Sequence, residues 1–244
     1  MRATKRKLRT QARLASGDLV AKSSGMARVI KAKELQGRNT VALARWLLGK
    51  ALVRTTPSGQ TTHLITEVEA YHSARDLACH ASKGRTKRTE VMFGAGGVWY
   101  VYLCYGVHEM LNLVTGPADH PAAVLIRGLR NISGPGRLTK HLGIDRRLNG
   151  LPAHPKSGLH LVDLGLKISR GQLKATPRIG VDYAGPVWSK KPWRFCFEPE
   201  EIESAKRQGE SSPTSCGLSG GCALPISRTP DNRSAAASPR RSSA

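Results

Sequence analysis

The clearest alternation of apolar and polar positions runs from Leu64 to Tyr71 and predicts a β-strand. Successive side chains of a strand point to opposite faces. One face would carry Leu64, Thr66, Val68 and Ala70 and would be buried, and the other would carry Ile65, Glu67, Glu69 and Tyr71. A partly buried carboxylate on a rigid strand can deprotonate water, because burial raises its pKa and the strand fixes its direction. The two glutamates are therefore candidate catalytic bases, and carboxylates that simply face solvent are the alternative.

Elements before and after this strand predict a mixed α+β domain. Asn39 and Thr40 form a helix start, and Gly49 ends the helical pattern that follows. Residues 51–54 and 63–70 predict a hairpin that turns at residues 57–59. A short helix is predicted at residues 137–142, after a Gly-Pro-Gly turn. Further strands are predicted at residues 98–106, 111–114, 122–127, 178–181 and 192–195.

Tyr100, Tyr102 and Tyr105 give the predicted strand at residues 98–106 an unusual density of aromatic rings. Tyr100 and Tyr102 share a face, and Tyr105 precedes Gly106, where the strand must turn. A packed sheet face whose hydroxyls reach solvent is one explanation. The other is a wall on which a nucleic-acid base stacks, with a wedge at the turn.

The charge of the chain favours an anionic partner. The formal net charge is +22, from 39 Lys and Arg against 17 Asp and Glu. Nucleic acid is the first candidate partner and an anionic membrane surface the second. Residues 37–198 carry 23 basic and 10 acidic side chains, so most of the excess lies on the predicted folded part. Arg85, Lys87 and Arg88 alternate with threonines in a polar loop, which suits phosphate contacts as well as a solvated run of charges.

The composition divides the chain into three parts. Residues 1–36 predict a basic, flexible arm, residues 37–198 predict one folded domain, and residues 199–244 predict a disordered tail of low complexity. Five cysteines are odd in number and lack the spacing of a zinc site, so a reducing compartment is expected. No stretch has the length of a membrane span or the pattern of a secretion signal, so a soluble intracellular protein is expected.

Several segments between residues 36 and 197 together resemble a known family. They are residues 44–50, 66–71 (Thr-Glu-Val-Glu-Ala-Tyr), 79–80 (Cys-His), 88–93, 100–106, 111–112, 124–127, 134–138 and 178–185. The resemblance is to the alkylpurine, or 3-methyladenine, DNA glycosylases, the monofunctional base-excision enzymes of the mammalian alkyladenine type that also occur in bacteria. It implies a single α+β domain with a curved, mostly antiparallel sheet flanked by helices.

The resemblance also implies roles for individual residues. Glu69 would be the general base that activates a water for attack on the sugar C1′, while Glu67 would be structural. Arg127 would lie near this water and the phosphate of the flipped nucleotide. The pocket for the extruded base would be formed by Tyr71, His80, Tyr102, Asn112 and Leu125.

Breaking an N-glycosidic bond inside a duplex requires the nucleotide to leave the base stack. The resemblance places Tyr105 as the wedge that fills the gap, and Arg85, Lys87 and Arg88 would contact the DNA backbone. The expected partner is duplex DNA containing damaged purines such as 3-methyladenine or hypoxanthine, bound by a monomer with no membrane association. No metal or organic cofactor is implied. No lysine occupies a nucleophile position, so hydrolysis without strand cleavage is expected.

The chain departs from the family pattern at three places. Between Arg130 and Asn131 the family usually carries a further stretch of about one helix's length. The basic leader and the sequence after Phe195, where a closing strand is expected, also differ. Two other functions remain open: a non-catalytic nucleic-acid binder on the same scaffold, and an RNA-binding module driven by the basic arm. The enzyme would work in the bacterial cytoplasm or nucleoid, or in a eukaryotic nucleus.

Overall fold

An antiparallel sheet forms the centre of the structure, a computed structural model that describes residues 27–37 and 39–199. In these residues the strands are β1 Arg28–Val29, β2 Ala51–Thr56, β3 Gly59–His72, β4 Trp99–Cys104, β5 His108–Thr115, β6 Ala122–Leu129, β7 Ile132–Ser133, β8 Leu159–Asp163, β9 Lys174–Thr176 and β10 Arg194–Cys196. The main path is β1-β8-β2-β3-β6-β5-β4, while β10 joins β3 to β9 and β7 joins β6. All of these pairs are antiparallel, which confirms the expected single α+β domain with a mostly antiparallel sheet.

Helices cover the sheet and close its loops. The α-helices are α1 Thr40–Leu47, α2 Pro135–Leu142 and α3 Gly185–Ser189 within the described ranges. Short 3₁₀ turns occur at Ala32–Leu35, His80–Lys83, Glu90–Phe93, Arg146–Leu148, Pro155–Ser157, Arg170–Gln172 and Asp182–Ala184. The predicted start of α1 is confirmed, because Asn39 Oδ1 accepts a hydrogen bond from the backbone N–H of Ala42 at 2.9 Å. The helix predicted at residues 137–142 corresponds to α2.

β3 is the central strand, and both of its faces are covered. Its first half pairs with β2, and its second half lies between β6 and β10. A bulge at Glu67 shifts the register to β6 between Ile65 and Val68. The expectation of one buried face is therefore wrong: the bulge turns Ile65 into the same core as Val68, and the loop at residues 178–181 covers Glu69.

Residues 178–181 form a loop, so the strand predicted there is wrong. Gly180 has a φ of 73°, which breaks an extended conformation. The backbone N–H of Ile179 donates to the Glu69 carboxylate instead of a neighbouring strand. β8 and β9 were not predicted; β8 pairs with β1 and β2, and β9 with β10. The strand predicted at residues 192–195 corresponds to β10.

The folded part begins earlier than the sequence suggested. Residues 28–35 were assigned to the flexible arm, but β1 pairs with β8, and Ile30 and Leu35 are buried in the core. Two well-spaced apolar residues suffice to anchor this basic segment. Residues 1–26 of the predicted arm and nearly all of the predicted tail lie outside the described residues.

The family's extra stretch is replaced here by a tight turn. β6 and β7 pair as a hairpin, in which Leu129 lies opposite Ile132. Arg130 and Asn131 form the connection, and Asn131 adopts a φ of 66°, a conformation that asparagine tolerates better than most residues. The shortened chain therefore closes without leaving the sheet open at this place.

Candidate active site

One row of side chains crosses four neighbouring strands: Tyr100, Asn112, Leu125 and Glu69. Tyr100 lies opposite Asn112, Asn112 opposite Leu125, and Leu125 opposite Glu69. Because alternate residues of a strand share a face, Tyr102, Arg127 and Tyr71 point to the same side as this row. The register of β3 to β6 thus brings together residues that are up to 58 positions apart in the chain.

A cavity of about 510 Å³ opens on this face. Its wall contains every residue predicted for the base pocket: Tyr71, His80, Tyr102, Asn112 and Leu125. Arg127, Arg88 and Tyr105 also line it, and residues 179–181 close one side. The volume lies within the usual range of about 300–1,000 Å³ for small-molecule sites. Glu69 is not part of the wall.

Glu69 lies directly behind the wall and is fully buried. Its Oε2 accepts a hydrogen bond from the Tyr71 hydroxyl at 2.8 Å, and its Oε1 accepts one from the Ile179 backbone N–H at 2.9 Å. Arg127 Nη1 lies 3.4 Å from Oε1. Burial raises the pKa of this carboxyl above its ordinary value, and the charge of Arg127 and the two hydrogen bonds partly offset the rise. A water can reach the carboxylate only where one of these contacts opens.

Arg127 and Glu67 belong to a network of ion pairs beneath the cavity. Arg127 Nε lies 3.1 Å from Glu67 Oε1, and Arg194 Nη1 lies 2.7 Å from the same oxygen. Glu67 therefore holds β10 and Arg127 in place and does not line the cavity. Its position agrees with the structural role expected from the sequence.

His80, Tyr100 and Tyr102 form one aromatic wall. The rings of His80 and Tyr102 meet edge to face, with centroids 4.7 Å apart, and His80 Nδ1 lies 3.0 Å from the Tyr100 hydroxyl. Burial, helped by the nearby Arg88, lowers the pKa of His80 to about 4, so this imidazole is neutral at physiological pH. The tyrosine hydroxyls also stay protonated, because burial raises the pKa of both Tyr100 and Tyr102.

Tyr71 lies beside this wall, and both its hydroxyl and its ring are held by neighbouring side chains. Its hydroxyl donates to Glu69, and the guanidinium carbon of Arg178 lies 4.8 Å from its ring centroid. Burial and the adjacent Glu69 carboxylate raise the pKa of Tyr71 well above 10. Tyr71 therefore links the cavity wall to the buried acid.

Asn112 is held on the floor of the cavity. Its Nδ2 donates to the carbonyl oxygens of Tyr100 at 3.2 Å and Met110 at 3.4 Å. Leu125, its neighbour in the row, presents an apolar side chain to the cavity. Both hydrogens of the amide are thus used by the protein.

Tyr105 occupies the tip of the β4–β5 hairpin. The residue is 93% exposed, the highest value among the exposed large apolar residues of the described part, and its φ is 51°. A bulky ring held in a left-handed conformation at a hairpin tip is uncommon. Tyr105 also lines the cavity, and its role as a wedge stays a prediction.

The three cations predicted to bind the DNA backbone lie in different surroundings. Arg85 is engaged by Glu90 at 2.8 Å and Asp119 at 2.5 Å. Lys87 is exposed and lines a second cleft of about 520 Å³. Arg88 lies over the ring of Tyr102, with its guanidinium carbon 4.8 Å from the centroid. A phosphate contact would require Arg85 to leave an acidic partner, whereas the side chain of Lys87 is exposed.

A buried ion pair between Arg178 and Asp76 was missed by sequence reasoning. Arg178 Nη1 and Nη2 contact the two carboxylate oxygens of Asp76 at 2.5 and 2.9 Å, and both side chains are fully buried. Arg178 also donates to the carbonyl oxygen of Ala70 at 2.9 Å. This pair fixes the loop whose next residue, Ile179, reaches Glu69. The two residues are too far apart in sequence for any local pattern to connect them.

No group of three or more His, Cys, Asp or Glu side chains in the described ranges could hold a metal ion. Among the helices that the structure describes, none has both the length and the apolar character needed to cross a bilayer.

Comparisons with known proteins identify the family. A family model described as methylpurine-DNA glycosylase matches residues 34–133 and 129–201. The chain is 41% identical over 198 residues to a protein of Methanocella arvoryzae, covering 73% of this chain and 97% of that one. It is 43% identical over 190 residues to a protein of Myxococcus xanthus, covering 72% and 94%. Both relatives are named "Putative 3-methyladenine DNA glycosylase".

The family model matches more than half of the chain. This match defines the class of the protein as a DNA glycosylase, a hydrolase that acts on DNA. The chain belongs to the methylpurine-DNA glycosylase family.

Proposed function

We propose that this protein is a monofunctional DNA glycosylase that flips alkylated or deaminated purines of the 3-methyladenine and hypoxanthine type out of duplex DNA. It hydrolyses the N-glycosidic bond and so starts base-excision repair. The observation that carries this proposal is the row of Tyr100, Asn112, Leu125 and Glu69, which puts an aromatic wall, an amide floor and a buried acid around one cavity.

Two features support extrusion of the nucleotide: the cavity and the exposed ring of Tyr105 beside its mouth. The cavity has room for a single base and is lined by rings on which a planar group can stack. The wedge, Tyr105, projects beside the mouth and would occupy the space that the base leaves in the duplex. Burial of the whole base in a protein pocket requires such an extrusion, because its glycosidic carbon is otherwise out of reach.

Hydrolysis is assigned to Glu69 with the help of Arg127. The ionised carboxylate activates water and its negative charge stabilises the oxocarbenium-like sugar. The water enters between Glu69 and Arg127, because their 3.4 Å contact is longer than the 2.8 and 2.9 Å hydrogen bonds that hold the carboxylate elsewhere. The phosphate of the flipped nucleotide draws the Arg127 guanidinium away and opens this gap.

Strand cleavage is not part of the proposed reaction. A glycosylase that also cuts the strand needs an amine nucleophile at the sugar. The cavity wall, as far as the described residues form it, contains Arg88 and Arg127 as its basic side chains and no lysine. Water is then the nucleophile, and the product is an intact strand with an abasic site.

The test is incubation of the full chain with duplex oligonucleotides that contain hypoxanthine or 7-methylguanine at one position. We expect released base by chromatography, and strand breaks only after alkali treatment. Undamaged duplex of the same sequence serves as the control. Breaks without alkali would refute the monofunctional assignment.

The enclosure of Glu69 favours one other candidate, a DNA-binding protein without catalysis on the same scaffold. All three of its contacts are made by protein groups in this structure. Tight binding of damaged duplex without base release from any substrate would identify this function.

A further inference from the structure

The arginines around the cavity differ in how their charges are balanced. Arg178, behind Tyr71, contacts both oxygens of Asp76. Arg127 contacts Glu67 at 3.1 Å and Glu69 at 3.4 Å. The charges of both arginines are therefore neutralised by buried or half-buried carboxylates.

Arg88 is different, because it has no carboxylate within ion-pair distance among the residues that the structure describes. Its guanidinium carbon lies 4.8 Å from the ring centroid of Tyr102. It lines both the cavity and the neighbouring cleft that contains Lys87 and Arg146. His80 adds no charge, since its pKa is lowered to about 4. Arg88 thus supplies the uncompensated positive charge of the cavity wall.

We propose that Arg88 is a specificity-determining residue, which disfavours damaged bases that carry a permanent positive charge relative to neutral damaged bases. This inference rests on the proposed function and adds to it the charge of the preferred base.

The physical reason lies in the ring of Tyr102. An aromatic ring attracts a cation through the negative charge of its face. Arg88 already uses this attraction, so a cationic base that stacks on Tyr102 gains less from the ring. It also meets Coulomb repulsion from the guanidinium, which is appreciable at the distance of one ring and one stacked base in a partly desolvated site. A neutral base such as hypoxanthine does not depend on the attraction between a cation and the ring, and it meets no such repulsion from the guanidinium.

Two variants separate this role from a simple phosphate contact. Arg88→Gln removes the charge and keeps much of the side-chain volume, while Arg88→Lys keeps the charge. Lys87→Gln is the matched control, because Lys87 is the preceding basic residue on the same exposed loop and contacts no aromatic ring of the described part. All are compared with the parent chain on duplexes that carry 7-methylguanine, which is cationic in DNA, or hypoxanthine, which is neutral.

The measured quantity is the ratio of single-turnover base-release rates, cationic over neutral, for each protein under subsaturating conditions. We expect Arg88→Gln to raise this ratio about tenfold, which corresponds to about 1.4 kcal/mol. Arg88→Lys should keep the ratio within about threefold of the parent, since the charge remains. Lys87→Gln should slow both substrates equally and leave the ratio unchanged, as a phosphate contact would.

An unchanged ratio in Arg88→Gln, with both rates lowered alike, would overturn the inference and assign Arg88 to the DNA backbone. That result would leave the proposed function intact, because base release would still occur. A parent chain that releases neither base would instead refute the proposed function itself, and this inference with it. Circular dichroism of each variant establishes that a changed rate does not come from unfolding.

Discussion

Replacing Glu69 by Gln removes the charge of the proposed base while preserving its shape. The hydrogen bonds can be kept: the amide oxygen can accept from the Ile179 N–H, and the amide nitrogen can donate to the Tyr71 hydroxyl oxygen after that hydroxyl rotates. The variant should therefore fold as the parent does. What it cannot do is take a proton from water.

The expected loss of activity follows from the size of general-base catalysis. Such a group contributes about 10²–10⁴-fold to the rate, equivalent to about 3–5 kcal/mol of barrier. The stability of the variant, in contrast to its activity, should increase relative to the parent as pH rises. Burial raises the pKa of Glu69, so its ionisation destabilises the fold as pH rises through that pKa. The Tm of Glu69→Gln relative to the parent should thus increase from pH 4 to pH 7.

The assay combines single-turnover release of hypoxanthine, gel-shift binding to the same duplex, and thermal unfolding at both pH values. Glu67→Gln is the control, because Glu67 lies two residues away and pairs with Arg127 and Arg194. It should lose about 1–3 kcal/mol of stability, less than a fully buried pair, and at most about tenfold in rate. Unreduced base release by Glu69→Gln would show that the acid has been misassigned.

Three further results are expected. Because the raised pKa of Glu69 must be exceeded to form the base, base release should fall as pH decreases through a value above 4.5; a flat profile from pH 4.5 to 7, after subtraction of enzyme-free depurination, contradicts this. Tyr105→Ala should change the free energy of unfolding by at most about 0.5 kcal/mol, yet slow release from duplex at least about tenfold and leave single-stranded substrate unaffected. Equal slowing on both substrates would exclude a wedge. Asp76→Asn should lose about 3 kcal/mol in urea unfolding, because the buried Arg178 charge is left without its carboxylate; a loss below about 1 kcal/mol would refute this.

Local signals in the sequence were sufficient for most of the sheet. The cap at Asn39, the hairpin into β3 and the strands β4 to β6 follow from turn residues and alternation, which act over a few residues. The resemblance to the glycosylases then supplied the wall residues, from Tyr71 to Arg127. Their roles in binding and catalysis stay predictions until the variants above are measured.

Long-range contacts account for what was missed. The loop at residues 178–181 has the composition of a strand, but its backbone serves Glu69, which is 110 residues earlier. The Arg178 pair with Asp76 spans 102 residues. The contact of Arg88 with Tyr102 depends on how the loop that carries Arg88 packs on β4, and no local sequence pattern predicts it. The enclosure of Glu69 behind the wall has the same origin.

The hydrogen bond from Ile179 to Glu69 also sets an order of events during synthesis. A ribosome releases the strands that carry the acid and the aromatic rings long before it releases the segment that holds the acid in place. The candidate site is therefore completed late, when residues 178–181 contact Glu69 and β10 pairs with β3. A chain that ends before residue 178 would therefore carry Glu69 without the backbone donor that holds its carboxylate.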